Sequence, residues 1–574
     1  MRRITLGLVA MLALIVPPSP GSGAVPQACP GEDGSPTSVV TGVFPRSMQG
    51  SYVIVPFDVP AGSTRVRVKI CYDQPDIPVS AGPYSAKHTL DLGIYDTRGA
   101  NGFFDGDGFR GWGGSSRPNV LITPEDSTTV GFKPGPIVAG EWAAEIGVAA
   151  VGGITEGDLD QSVAWRLEIF VASLATDLDE PWTPAAYDET PANPNAGWYA
   201  GDMHVHAEHS SPNDATMVET FDYAFDEAGL DFLTMSDYVT DRHWDEIGRL
   251  QADHPGKLVI RSAEVITYRG HINNHASLRY VDYRSGPIVE RRTDGTFLQV
   301  RGAQPASRIF DDIHAGPGTD ALGGWAQVNH PTIFPGQVPA FANFCRGCSW
   351  SYSDAETDWS KVDAFEVQTG PAGTTGPKGN ELGPNPFTVL AIAWYDHLRL
   401  EGFDITAVGS SDSHRAGNVN PALPDPLGEI VPLSLQSPVG EATTVVYADE
   451  LSERGIRDGV LAGHAYVKFF GPDGPDLRFT ASPVAGGPQV MMGDTLTGSP
   501  ARFTASVLNA PPSIHPRVLL VIRNGLPYLA VPIVGTNQTI RFTGAIGGDY
   551  RLQLMRGTAF EAMSNPITLA TRAA

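Results

Sequence analysis

Between residues 198 and 448, short apolar runs alternate with helical stripes, and most of the runs end on or near a histidine or an acid. That alternation limits the fold more than any other feature, because strand–helix repeats build a parallel sheet. The runs are Trp198–Met203, Leu230–Met235, Lys257–Ile266, Gly324–Val328, Val362–Val367, Ile405–Val408 and Thr443–Tyr447. Helical spacing lies between them. Val218, Phe221, Phe225 and Ala228 fall on one face and stop at Gly229, and Ser307–His314 and Phe387–Glu401 carry apolar stripes. Seven strands interleaved with helices predict a closed, irregular barrel.

Such a barrel gathers its chemistry at the carboxyl ends of its strands. Gly201-Asp202-Met203-His204-Val205-His206 puts two imidazoles on one side of an extended segment, since strand side chains alternate faces. Asp237, Glu264, His271, His330, Glu366, Asp412 and His414 each fall at or just past the end of an apolar run. Scattered core histidines have no reason to choose strand exits, so these groups are expected to converge on one rim. Histidine nitrogen with carboxylate oxygen suits zinc, manganese or iron. Glu264 has two oxygens with which to bridge two ions. A bound ion pulls the pKa of water from ~15.7 towards ~7, and two ions ~3.5–4 Å apart stabilise a developing oxyanion. The sequence offers no GxSxG elbow and no Gly-rich phosphate loop as a rival.

The flanks have a different texture. Residues 37–174 carry short runs rich in Val, Ile and aromatics (Ser51–Phe57, Thr64–Cys71, Thr89–Tyr95, Val163–Val171) separated by Gly, Pro and Asp, which predicts an antiparallel β-sandwich. Residues 175–197 read as a Pro-rich linker, 198–470 as the barrel domain, and 471–574 as a small immunoglobulin-like β domain. A chain of 574 residues exceeds one core, so several domains are expected. Residues 1–24 read as a secretory signal peptide: Arg2-Arg3, the apolar stretch Leu6–Val16, then Ser22-Gly23-Ala24. No later run approaches the ~18 apolar residues of a membrane span. The expected location is therefore secreted or periplasmic, without membrane insertion. Net charge is 39 − 64 = −25 with no long basic run, which argues against nucleic acid and anionic membranes. A small-molecule substrate is the expected partner, and the sequence fixes no oligomeric state. The compartment permits disulfides, and position suggests Cys29–Cys71 and a local Cys345–Cys348 loop.

The motifs carry a resemblance. Asp202-Met203-His204-Val205-His206, Ser236-Asp237, Glu264 with Gly270-His271, Asn329-His330-Pro331, Phe365-Glu366-Val367 and Ser411-Asp412-Ser413-His414 resemble the successive motifs of the PHP (polymerase and histidinol phosphatase) superfamily. Phe109-Arg110-Gly111-Trp112, Pro134-Gly135-Pro136-Ile137 and Gly463-His464-Ala465-Tyr466 resemble its CehA/McbA branch, named for carbaryl-type carbamate hydrolases. The resemblance implies a distorted (β/α)7 barrel holding one to three divalent metal ions. It implies His204, His206, Glu264 and Asp412 as ligands, with Glu264 bridging. His330 and His414 would complete neighbouring sites, with His271 a further ligand. Asp237 and Glu366 are read as groups that orient ligands or face substrate, and His209, His275 and Arg415 as neighbours of the substrate or the ligands. One departure stands out: the family's second motif usually reads Asp-His, and here Tyr238 follows Asp237. Tyr is a poor zinc ligand, so the third ion is expected to be weak or absent, with Tyr238 free to hydrogen-bond an oxyanion.

The expected function is a secreted hydrolase in which metal-bound hydroxide attacks an ester, carbamate or amide carbonyl, with Tyr238 or His414 assisting proton transfer. A PHP-type phosphoesterase is the runner-up. A reading of another class is an extracellular glycan-binding protein with a degenerate barrel.

Overall fold

The computed structural model describes residues 24–31, 34–74, 88–97, 108–152, 161–285, 288–291, 297–316, 323–334, 346–369, 385–417, 437–498 and 500–570. The expected signal peptide, apart from its last residue, lies outside the described residues, as does Cys345. No described helix is long and apolar enough to cross a membrane.

The N-terminal region forms two antiparallel sheets. One has the order Ser38–Pro45, Ser162–Ala172, Arg65–Tyr72, Asn119–Ile122. The other includes Tyr52–Val59, Gly140–Ala150, Thr89–Tyr95 and Phe109–Trp112. Alternation puts Val66, Val68 and Ile70 of one sheet into a shared core with Val53, Val55, Leu92 and Trp142 of the other. The second sheet is completed from far along the chain. The hairpin Ile288–Arg291/Phe297–Arg301 adds to the edge of Tyr52–Val59. The buried Glu145 also accepts from Tyr283 Oη at 2.6 Å and from Arg284. The N-terminal and central regions are therefore interlocked. The disulfide Cys29–Cys71 is formed, with its Cα atoms 5.4 Å apart, and Cys348 is disulfide-bonded as well.

The central sheet contains β1 (Gly197–Val205), β2 (Phe232–Met235), β3 (Leu258–Ile266), β4 (His271–His275), β5 (Trp325–Val328), β6 (Ala364–Thr369) and β7 (Thr406–Ser410), side by side in that order. The two ends of the run meet. Asp412 N donates to His204 O at 3.0 Å, and His206 N donates to Ser413 O at 2.9 Å. Helices α1 (Met217–Asp222), α2 (Trp244–Gln251), α3 (Ala306–His314), α4 (Pro386–Leu400) and α5 (Glu453–Leu461) follow β1, β2, β4, β6 and the later strand Thr443–Ala448. α3 shows why these stripes pack: Ala306, Ile309, Phe310 and Ile313 are all buried.

An all-parallel repeat of seven strand–helix units is not what forms. β4 runs antiparallel to both β3 and β5. The expected seventh strand, Thr443–Tyr447, runs antiparallel to β1. His-Ile-Asn-Asn-His has no apolar run, so β4 gave no strand signal. The short turn Thr267–Gly270 leaves no room for a crossover helix and forces a hairpin.

The C-terminal strands do not stand apart from this sheet. Ala465–Lys468 pairs with Thr443–Ala448 on one side and with Ala559–Ser564 on the other. The latter leads on through Gly548–Arg556, Arg517–Arg523 and Leu526–Ile533. A separate four-stranded sheet (Val490–Met491, Asp476–Pro483, Ala501–Leu508, Gln538–Gly544) shares its core with these strands.

Candidate metal centre

β1 brings Asp202, His204 and His206 to one strand face, and the two imidazole Nε2 atoms approach to 2.9 Å. Glu264, on β3, faces them with Oε1 3.3 Å from His204 Nε2 and Oε2 3.5 Å from His206 Nε2. Asp412, just past β7, sets Oδ1 3.4 Å from His204 Nε2 and 3.1 Å from His206 Nε2. Also near Glu264 Oε1 are His330 Nε2 at 3.2 Å, from the exit of β5, and His271 Nδ1 at 3.3 Å, from the head of β4. His414 sits at the rim, its Nε2 3.8 Å from Asp412 Oδ1. These seven side chains are thus brought together, with Glu264 and Asp412 shared among the imidazoles. Cys348 lies against His271 and His330, but its disulfide leaves it no thiolate to offer.

The other nitrogen of each imidazole is pinned from outside. His204 Nδ1 meets Glu366 Oε1 at 3.0 Å, His330 Nδ1 meets the Cys348 carbonyl at 2.9 Å, and His271 Nε2 meets the Arg346 carbonyl at 3.2 Å. His414 Nδ1 meets Asp214 Oδ2 at 2.9 Å, and His206 Nδ1 meets Ser210 Oγ at 3.0 Å. Carbonyls and carboxylates only accept, and Ser210 Oγ gives its proton to Asp237 Oδ1 at 2.6 Å. Each outer nitrogen therefore carries the hydrogen, and in the neutral ring each inner nitrogen turns a lone pair inward. Five ring nitrogens facing two carboxylates are a donor set that suits a cation.

The spacing agrees. Ligand bonds of ~2.0–2.1 Å set neighbouring donors roughly 2.8–3.4 Å apart around an octahedral or tetrahedral ion. The contacts of Glu264 and Asp412 with His204, His206, His271 and His330, and that between His204 and His206, run from 2.9 to 3.5 Å. His271 Nδ1 is buried and makes no hydrogen bond among the described residues, as suits a ring nitrogen that would ligate a cation. The residues present fit divalent cations.

Without a cation this centre collects protons. Burial disfavours charge on His330, but the Glu264 hydrogen bond and the Asp412 and Glu264 charges raise it to about 9. Burial is likewise outweighed at His414, which Asp214 raises to about 9. Despite their own burial, Glu264 and Asp412 are held below the usual carboxylate range, chiefly by His204. Two of these groups also sit on strained backbone, with φ of 29° at His330 and 52° at Asp412. Left-handed non-glycine residues cost about 1–3 kcal/mol each and persist where surroundings over-determine them.

The remaining expected residues lie one step out. Glu366 sits behind His204 and accepts from Gln327 Nε2 at 3.2 Å, as well as from Ser410, Thr369 and the His330 amide. Asp237 sits behind Ser210, and burial raises its carboxyl to about 8. Tyr238 Oη is 3.1 Å from His414 Nε2, and its ring packs on His206 with centroids 4.6 Å apart. His209 faces Glu246 at 3.4 Å rather than the ligands. His275 stacks on Trp325 with centroids 3.9 Å apart and bonds Ser262 at 2.7 Å, so it packs outside the ligand cluster. Arg415 lines an open depression of about 550 Å³ beside His414, shared with Asp214, Glu219, Tyr223 and Glu227.

Three groups escaped the sequence reading. Ser210 and Asp214 orient His206 and His414 from the loop after β1, and Asn329 Nδ2 donates to Glu264 Oε1 at 2.9 Å. Asn329 stood inside the motif Asn329-His330-Pro331 but was given no role of its own. Ser210 and Asp214 gave no signal, because small polar residues in loops are common.

No family model matches the chain, and no curated protein matches it. A solved structure from Bacteroides vulgatus, described as a two-domain protein containing a predicted PHP-like metal-dependent phosphoesterase, aligns at 16% identity. The alignment covers 67% of this chain and 99% of that one, with a TM-score of 0.31. A likeness of that size does not place the chain in a family.

Proposed function

We propose that the chain is a divalent-metal-dependent hydrolase of ester, carbamate or amide bonds. The observation that carries this reading is the set of inward ring nitrogens around Glu264 and Asp412, each imidazole fixed from behind. His204, His206, Glu264 and Asp412 would hold one ion, and His271, His330 and Glu264 a second. When bound, such ions lower the pKa of water and offset charge that develops on the substrate oxygen. The chain's own part is orientation. Glu366 and Ser210 keep two imidazoles in one tautomer and one direction. Tyr238 Oη, hydrogen-bonded to His414 at the exposed rim, is placed to meet a substrate oxygen.

The depression beside His414 favours a neutral carbonyl substrate. Its described lining carries Asp214, Glu219, Asp222 and Glu227 against Arg415, a balance that repels a phosphate dianion. Phosphoester hydrolysis is the second reading, favoured by the shared carboxylate Glu264, since paired ions clamp an in-line displacement. The Cys29–Cys71 disulfide supports a secreted or periplasmic location. Purified protein stripped of metal and reloaded with zinc, manganese or iron is assayed on chromogenic carboxylate, carbamate and phosphate esters. Metal-dependent turnover of the carbonyl esters is expected. Turnover confined to phosphate esters overturns the substrate ranking, turnover that ignores metal overturns the metal dependence, and no turnover on any of the esters overturns the enzyme reading.

A further inference from the structure

The loop 207–215, between β1 and α1, carries both Ser210, which holds His206 Nδ1, and Asp214, which holds His414 Nδ1. Within the loop Ser210 N donates to Ala207 O at 2.9 Å, and at its end Ala215 N donates to the His414 carbonyl at 2.9 Å. A strong anchor comes from the N-terminal region. Arg117, buried at 5% exposure, donates from Nη1 to Ser210 O at 2.8 Å and to His209 O at 3.3 Å, and from Nη2 to Glu208 O. Three consecutive carbonyls are thus gripped by one planar fork, a task for which a guanidinium is shaped and an ammonium is not. A second N-terminal segment closes on the same place. A Cβ at Gly131 would stand 2.7 Å from His209 O, so only glycine lets that strand of backbone approach. Trp112 adds an edge-on contact to Tyr238, with centroids 6.3 Å apart.

We propose that Arg117 is a positioning residue of the metal centre. By fixing the carbonyls of Glu208, His209 and Ser210, it sets Ser210 Oγ against His206 Nδ1 and Asp214 against His414 Nδ1. The N-terminal β region is then a working part of the site rather than an appended module. This rests on reading the histidine cluster as a metal centre, and the experiment separates the two claims.

Full-length protein is stripped of metal and titrated with cobalt(II), followed by visible absorption and by calorimetry, with thermal melting in parallel. The chains compared are wild type, Arg117→Ala, Arg117→Lys, Ser210→Ala and the Arg117→Ala/Ser210→Ala double variant. Loss of a group that orients a ligand weakens metal binding about 10–100-fold. That loss is expected for Arg117→Ala and for Ser210→Ala, with a smaller one for Arg117→Lys. The double variant should bind no more weakly than Arg117→Ala alone, because both changes break one path. Unchanged cobalt affinity in Arg117→Ala, even with a lower melting temperature, overturns the proposal, and so do losses that simply add. If Arg117→Ala does not fold, Arg117→Lys takes its place, alone and with Ser210→Ala: wild-type affinity in Arg117→Lys, or losses that add, overturns the proposal. A wild-type chain that takes up no cobalt overturns the metal-centre reading itself.

Discussion

Glu264→Gln removes one charge from the middle of the centre while keeping the shape of the side chain. Oε1 lies 3.2 Å from His330 Nε2, 3.3 Å from His204 Nε2 and 3.3 Å from His271 Nδ1, and Oε2 lies 3.5 Å from His206 Nε2. Any cation held by those nitrogens is within ~4 Å of the carboxylate, where two unit charges interact by about 4 kcal/mol at an effective dielectric near 20. At ~1.4 kcal/mol per tenfold, the variant should lose about 10³-fold in affinity for divalent metal. The amide oxygen can still accept from Asn329 Nδ2, which donates to Glu264 Oε1 at 2.9 Å, so that contact should survive. A competition titration against a chromophoric chelator measures the affinity, and turnover of the ester panel should fall with it. Metal affinity and turnover within threefold of wild type would refute the assignment of Glu264 as the shared ligand.

Three further outcomes are expected. Glu366→Gln frees His204 Nδ1 to turn, so metal affinity should drop about 10–100-fold in the same titration, and an unchanged value would show that Glu366 only packs. In metal-free protein His330 and His414 stand at about 9, above the ordinary ~6.5. Their stabilising contribution is then fully present below ~6.5 and lost as pH rises to about 9. The melting temperature of the apo protein should fall across that window, saturating metal should flatten the curve, and a rise in apo stability over the window would contradict the assignment. Cys71→Ser opens a loop whose ends are 42 residues apart in sequence, so unfolding free energy should fall by about 4 kcal/mol in a denaturant titration, and a loss under 1 kcal/mol would make the bridge structurally idle.

Much of the site was legible because strand exits and ligand types coincide. His204, His206, Glu264, His330 and Asp412 each follow apolar runs, and the structure brings all of them to one place. The orienting role expected of Glu366 has a geometric counterpart in its contact with His204. β4 was illegible, because Asn273 belongs to a polar interior, accepting from Asn329, which also donates to Glu264, and alternation cannot reveal such a network. His275, singled out by its place near a motif, stacks on Trp325 and bonds Ser262 and Gln327, and Gln327 in turn donates to Glu366. The C-terminal strands read correctly as β, yet their union with the central sheet depends on Ala465–Lys468, four residues with no long-range signal of their own. Arg117 was hidden for a similar reason. Its partners are main-chain carbonyls about 90 positions away, and carbonyls leave no trace in sequence.

Anomalous diffraction from crystals grown with zinc or manganese tests the central claim most directly. One peak is expected among His204 Nε2, His206 Nε2, Glu264 and Asp412, and a second among His271 Nδ1, His330 Nε2 and Glu264. Crystals soaked in millimolar metal that show no peak there, or density only at a surface group such as Asp222, Asp226 and His254, would contradict it.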